Sequence, residues 1–326
     1  MVGLDLPSTG EGILSQQNHP LAKLLLEYRK YEKIITAFGE NLLSKINKKT
    51  GRIHPDYMQI GADTGRFACS NPNLQQIPAD SLFRECFITP PGYKLVIADY
   101  SQIELRIMAD LSQDPVFVKA FKDDVDLHAL TASQMFGIPI EEIDKAKRFQ
   151  AKSINFGLMY GRGARSLAVQ LEVGEDEALK LLQKYFRQYG RVKNWLDKVS
   201  KDAIRLGYSR TLAGRKRYYP KINPGDPGSE RLLSNIERQG KNTPIQGTSA
   251  DMTKHALVSV LRRFRKEGLD ATPIHTVHDE IVVEVRADQA KKAVKILEEE
   301  MKAAGEKFLK DVPVKVEGVI SDIWEH

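Results

Sequence analysis

The stretch Pro273-Ile-His-Thr-Val277-His-Asp279-Glu280-Ile281-Val-Val-Glu-Val285 contains two β-branched runs with His278, Asp279 and Glu280 between them. It reads as a β-hairpin with acids at its tip. Far upstream, Lys94-Leu-Val-Ile-Ala98 is a third short β-type run, and it ends on Asp99. Downstream, a helical pattern from Ala287 to Phe308 and a last strand from Val314 to Val319 complete a mixed unit. The segment between the first run and the hairpin is mostly helix-periodic from Asp114 to Leu206. Its breaks are expected at Gly137-Ile-Pro139, Gly161-Arg-Gly163 and Val173-Gly174. The pattern therefore predicts an α+β fold: an antiparallel sheet split in sequence, with a long helical insertion between its first strand and its hairpin.

Smaller features fill in this plan. Ser101 to Asp110 has helical periodicity, with Ser101 suited to cap it. A helix is expected from Leu21 to Ile46, and turns with short strand-like pieces from Lys48 to Pro91. Gly207 to Pro220 reads as a small basic hairpin turning at Gly214, and Pro224 to Ser229 as a loop. Glu230 to Lys266 is expected to be helical with an interruption near Pro244 and Gly247. The opening Met1 to Gly10 reads as a loop.

The bulk composition excludes several classes. With 326 residues, 41% apolar and 28% charged, the chain is an ordinary globular protein long enough for two or three lobes. A net charge of +6 suits a polyanionic partner without requiring one. Cys69 and Cys86 lack metal-type spacing, which points to a reducing compartment and no structural zinc. No apolar run approaches the ~18 residues of a membrane span, and no basic-then-apolar leader pattern opens the chain. There is no His-Glu-x-x-His, no Cys-x-x-Cys and no Gly-x-Ser-x-Gly.

Two constellations carry chemistry. Asp99 and Asp279 end or cap strands that one sheet would bring together. Paired carboxylates there could share a proton or hold hard divalent cations such as Mg²⁺. Two such cations about 4 Å apart can drive an in-line phosphoryl displacement. The plainer alternative is that each aspartate simply ends a strand. The second constellation is Arg148-x3-Lys152-x3-Phe156-x3-Tyr160. On a helix each step of four turns about 40° and climbs about 6 Å, giving a slowly wrapping stripe with cations first and rings last. Cations near a helix N-terminus oppose the macrodipole, so another demand should place them there. A nucleoside triphosphate, charged at one end and flat at the other, has the matching shape; a partly solvated amphipathic face is the alternative. Gly157 suggests close approach by a backbone or ligand, and Gly161 with Gly163 a helix stop.

Taken together, Asp99-Tyr-Ser-Gln-Ile-Glu-Leu-Arg106, the Arg148 to Gly161 stretch and Val277-His-Asp-Glu280 resemble, in order, the three polymerase motifs of family A DNA polymerases, the DNA polymerase I type. Thr64-Gly-Arg66, Asn71-Pro-Asn-Leu-Gln-Gln-Ile-Pro78, Asp126-Leu-His128, Thr211-Leu-Ala-Gly-Arg215 and Pro244-Ile-Gln-Gly-Thr-Ser-Ala-Asp251 add to the resemblance, which covers nearly the whole chain. It implies a right-hand fold: a partial thumb over 1–50, palm over 51–112 and 230–326, and fingers over 113–229.

It also implies roles. Asp99 and Asp279, with the Tyr100 carbonyl, would hold two Mg²⁺ ions, for which Mn²⁺ could substitute. Arg148, Lys152 and His128 would contact the triphosphate, with Lys152 giving a proton to the departing pyrophosphate. Phe156 would pack beside the incoming sugar and base, and Tyr160 near the templating position. Glu104, hydrogen-bonded to Tyr160, would crowd a ribose 2′-hydroxyl. Arg66 and Gln246 would read minor-groove acceptors shared by every correct pair. His278 and Asn242 would touch the primer terminus, and Glu280 would be an auxiliary acid near the metals.

The implied activity is DNA-directed nucleotide addition to a primer 3′ end, serving replication or repair, by a monomer acting on primer-template DNA and dNTPs without a membrane. The implied place is the cytoplasm, near the nucleoid, for a bacterial or phage source; an organelle is the alternative. The family's exonuclease-like and 5′ nuclease domains, and the first thumb helices, have no counterpart in these residues. The loop from Ala79 to Phe83 is shorter than the family pattern. Rival readings are a single-subunit RNA polymerase, against which Glu104 and Phe156 argue, and a DNA-binding fragment with impaired catalysis.

Overall fold

The computed structural model describes residues 6–78, 82–223 and 225–325. Residues 1–5, Pro224 and most of the loop expected between Ala79 and Phe83 lie outside the described set. The chain divides into two compact units, Met1–Tyr57 with Cys69–Phe83, and Met58–Ala68 with Arg84–His326.

The first unit is built on helix α1 (Pro20–Phe38). Proline at its first position needs no N–H partner, and the His19 ring accepts from the Leu21 amide at 3.1 Å, so the start is capped. Its end differs from expectation. The helix stops at Gly39, where ψ swings to −133°, and a separate short helix, Glu40–Leu43, follows. Apolar periodicity runs across that break, which is why the sequence alone suggests one helix.

The second unit holds the sheet. Strand β1 (Tyr93–Tyr100) leads into α2 (Ile103–Ser112), α3 (Pro115–Lys122), α4 (Leu127–Phe136) and α5 (Lys145–Met159). Next come α6 (Ala164–Leu171), α7 (Glu175–Gln188), α8 (Gly190–Leu206), the hairpin β2 (Tyr208–Arg210) and β3 (Lys216–Tyr218), and the 38-residue α9 (Ser229–Lys266). Strands β4 (Ala271–Val277) and β5 (Glu280–Arg286), helix α10 (Ala290–Glu306) and strand β6 (Val316–Ser321) close the unit. The sheet order is β4-β5-β1-β6, antiparallel throughout, with Ile97 opposite Val282 on one side and Val319 on the other. The split antiparallel sheet and its helical insertion are as the sequence predicts.

Strand alternation assigns the two faces. Val96, Ala98 and Tyr100 join Ile281, Val283, Ile296, Leu297 and Met301 in one apolar core. The Tyr100 hydroxyl donates to the Met301 carbonyl at 2.7 Å within it. Period-two geometry therefore sends Asp99 to the opposite face.

Two local expectations fail for identifiable reasons. Ser101 does not cap α2: the N-cap is Gln102, in the left-handed region at φ 53° with no side-chain cap bond, while the Ser101 amide donates to the Lys315 carbonyl. Helix α9 is not interrupted at Pro244 or Gly247 but runs through both. Proline costs about 3 kcal/mol in a helix interior; here burial of Gly240, Thr243, Pro244, Ile245 and Gly247 holds the segment in register. Gly240, four residues before the proline, also lets α8 approach, since an added Cβ would lie 2.7 Å from the Ala203 Cβ.

That approach is testable. Gly240→Ala should lower stability by about 1–3 kcal/mol in urea unfolding, overpacking outweighing alanine's higher helix propensity; a stabilised variant would contradict close packing there.

Candidate active site

The tip of the β4–β5 hairpin is two residues long, with Val277 paired to Glu280. Its strained residue is His278, at φ 53°, and Asp279 follows it. Asp279 is half-buried but has protein on most sides, and its pKa rises to about 7. Burial is the first cause, and repulsion from Glu104 and Asp99 adds to it, opposed by a backbone hydrogen bond and by Arg66. The sheet thus brings Asp99 and Asp279 into one electrostatic cluster, as their strand positions suggest.

Glu104 is the next anchor. It is buried in the first turn of α2, forms an ion pair with Arg66 at 2.5 Å, and accepts the Tyr160 hydroxyl at 2.9 Å. Burial, then the Glu104 charge, pushes the Tyr160 hydroxyl above the ordinary phenol range, and a Gln246 side-chain hydrogen bond works the other way. Arg66, Glu104, Tyr160 and Gln246 therefore meet in one polar knot.

Helix α5 carries the stripe outward from that knot. Tyr160 is its C-cap, and Gly161 at φ +68° ends the helix as expected. The rings of Phe156 and Tyr160 lie 6.4 Å apart at 16°, and the His128 ring is 5.7 Å from Phe156. Lys152 is exposed. At Gly157 an added Cβ would find nothing nearer than 3.7 Å, so no protein backbone accounts for the glycine.

Asp126, from the Asp126-Leu-His128 motif, has a structural role. Its Oδ1 caps α4 by accepting from the His128 and Ala129 amides, and its Oδ2 accepts from Arg148 Nε at 2.7 Å. Burial pushes this carboxyl up, but the Arg148 and amide donors outweigh it and hold it below the usual carboxylate range. His128, only 3% exposed, is pulled down to about 4 by burial and by the nearby Arg148 and Lys152 charges, against the Asp126 attraction. It is neutral at pH 7.

The other expected residues have surroundings of their own. Glu280 is buried, accepting from Trp324 Nε1 at 2.9 Å and Arg84 at 3.3 Å, with the Arg84 guanidinium 4.2 Å above the Trp324 ring. These contacts hold the Glu280 carboxylate in the framework beside the hairpin tip. Tyr100 contributes its side chain to the core, as above. Asn242 lies on α9 with its Oδ1 buried and unpartnered. His278 is exposed at the hairpin tip, yet the protein around its ring and the Arg66 charge hold it below its ordinary range.

Three of the sequence motifs converge on Arg215. It donates to Asp251 Oδ1 at 2.9 Å, the Thr64 carbonyl at 2.6 Å and the Gly247 carbonyl at 3.0 Å. The fork ties α9 to the loop that carries Arg66, using the planar donor geometry that only arginine offers.

Among the described residues, no group of three or more His, Cys, Asp and Glu side chains stands together as a ready metal cage. The oxygen-only pair Asp99 and Asp279, in surroundings that oppose a second negative charge, nonetheless suits a hard divalent cation.

A known structure shares this fold. The POL domain of Pol1 from M. smegmatis, in complex with DNA primer-template and dNTP, aligns over 96% of this chain and 55% of its own with a TM-score of 0.88 and 34% identity. The fold is thus that of a DNA polymerase POL domain. DNA polymerase family A matches residues 4–326, and the chain belongs to that family. DNA polymerase I of Pseudomonas aeruginosa is 40% identical over 98% of this chain and 35% of its own length. DNA polymerase I of Aquifex aeolicus is 39% identical over 98% of this chain and 55% of its own, and the thermostable DNA polymerase I of Thermus aquaticus 36% over 97% and 38%. The chain thus spans between about a third and just over half of these relatives.

The raised Asp279 pKa has a measurable sign. A carboxyl whose folded pKa exceeds its unfolded value stabilises the fold while protonated; that contribution is full below about pH 4 and is lost as pH rises through about 7. In metal-free buffer, Asp279→Asn should therefore raise Tm relative to wild type at pH 8, with the gap closing toward pH 4. A gap independent of pH would refute the electrostatic account.

Proposed function

We propose that the chain is the polymerase domain of a template-directed DNA polymerase, adding deoxynucleoside triphosphates to a primer 3′ end and releasing pyrophosphate. The observation that carries the reading is the cluster of Asp279, Asp99 and Glu104 at the sheet edge, joined through Tyr160 to the Arg148–Lys152–Phe156 face of α5. In this reading the sheet is the palm, residues 113–229 the fingers and residues 1–50 part of a thumb. The protein works as a cytoplasmic, nucleoid-associated monomer on primer-template DNA.

Asp99 and Asp279, with the Tyr100 carbonyl, would hold Mg²⁺ or, as a substitute, Mn²⁺. Bound there, the cations supply Lewis-acid activation of the primer hydroxyl and neutralise developing charge on the leaving group. The chain's own groups do the rest. Arg148, half-exposed and already paired with Asp126, would exchange that carboxylate for the triphosphate, charge for charge. Lys152, already exposed, orients the outer phosphates and donates a proton to the pyrophosphate oxygen. Phe156 presents a flat apolar face to sugar and base. Glu104, fixed by Arg66 and Tyr160, cannot turn away from a 2′-hydroxyl, which disfavours ribonucleotides. Arg66 and Gln246 contact minor-groove acceptors, and Asn242 and His278 the primer end.

Primer extension tests the reading. Extension with deoxynucleotides should be abolished by a chelator and restored by Mg²⁺ or Mn²⁺. Asp99→Asn and Asp279→Asn should each slow it by about a thousand-fold, some 4 kcal/mol of transition-state stabilisation, with primer-template affinity little changed. Mg²⁺ should raise the Tm of wild type more than that of Asp279→Asn. Preference for ribonucleotides, or full extension by either variant, would overturn the assignment.

A further inference from the structure

A row of buried polar side chains starts at His128, the remaining expected triphosphate contact, and runs away from the site; its other members have no part in the mechanism above. His128 Nδ1 lies 3.0 Å from Asn155 Nδ2, and Asn155 Nδ2 lies 3.3 Å from Thr131 Oγ1. Thr131 Oγ1 lies 3.0 Å from the Tyr189 hydroxyl, and that hydroxyl lies 2.7 Å from Gln134 Oε1. His128, Thr131 and Asn155 are at most 3% exposed, so water does not compete for these bonds.

The direction of every bond follows from the last acceptor. Gln134 Oε1 can only accept, so the Tyr189 hydroxyl spends its proton there. Toward Thr131 it can then only accept, and the Thr131 hydroxyl spends its proton on Tyr189. Thr131 in turn can only accept from Asn155, whose amide nitrogen supplies one N–H to Thr131 and the other to His128. The reverse orientation of Asn155 would strand two buried N–H donors. The observed one strands a single carbonyl oxygen, Oδ1, which is the less costly orphan. His128 Nδ1 therefore receives a hydrogen bond, and the proton of the neutral ring sits on Nε2.

We propose that Asn155, oriented through Thr131, Tyr189 and Gln134, is a positioning residue that fixes His128 as the Nε2–H tautomer. The inference rests on His128 being a triphosphate contact. A phosphate oxygen accepts but cannot donate, so a neutral histidine helps only if its outward nitrogen carries the proton. The relay meets that need without a charged imidazolium between Arg148 and Lys152.

The test separates relay from role. A two-bond ¹H–¹⁵N correlation spectrum of histidine-labelled full chain at pH 7, with His128 assigned by its loss in His128→Ala, should show the Nε2–H pattern. Thr131→Val removes the link and should shift His128 toward the Nδ1–H form. It should raise KM for the deoxynucleoside triphosphate about ten-fold with kcat changed less than about two-fold, the loss of one hydrogen bond to a charged group. Asn155→Leu should act in the same direction, and Thr131→Ser, which keeps the hydroxyl, should restore both tautomer and KM. An Nδ1–H pattern in the wild type overturns the proposal. So does a tautomer shift in Thr131→Val without a KM change while His128→Ala still raises KM. If His128→Ala leaves KM unchanged as well, the failure lies in the reading of His128 as a phosphate contact, and the positioning role falls with it.

Discussion

Antiparallel pairing of the Tyr93–Tyr100 strand with the Glu280–Arg286 strand is the constraint on which the rest of the second unit depends. It brings Asp99 and Asp279, far apart in sequence, into mutual repulsion at one edge of the sheet. Strand alternation then separates function from packing within single dipeptides. Tyr100 enters the core while Asp99 leaves it, and Glu280 locks to Arg84 and Trp324 while Asp279 faces Glu104. A one-residue slip of register would exchange those roles.

Around those strand ends the protein devotes buried and half-buried polar groups to placement. Arg66 and Tyr160 hold Glu104, Asp126 holds Arg148, Asn155 faces His128, and Arg215 ties the loop bearing Arg66 to the long helix. Removing one partner of a buried pair costs far more than the pair contributes. Such a network therefore specifies geometry more than it stabilises the fold. The left-handed residues Gln102, two before Glu104, and His278, one before Asp279, show the same preference for geometry over local comfort.

The local patterns were largely legible. The hairpin, the strand before Asp99, the stop at Gly161 and the small basic hairpin turning at Gly214 all follow from short-range periodicity and turn chemistry. Misreadings fell where tertiary packing overrides propensity. Burial carries the helix through Pro244, backbone geometry ends the first helix at Gly39, and a bond to Lys315 takes Ser101 away from its cap. The stripe of Arg148, Lys152, Phe156 and Tyr160 was visible because helical spacing is a property of sequence. Of its partners, Glu104 on Tyr160 came only through the family resemblance, and Asp126 on Arg148 was not visible, since it reaches the stripe only through folding.

By itself the sequence determined which residues are charged, flat or rigid, and in what local order, and through its ordered motifs it determined the family. Only the tertiary structure decided which acids repel one another, which are neutralised, and which nitrogen of His128 bears a proton. Those properties depend on distances between segments and on exclusion of water, and neither exists before the chain has folded.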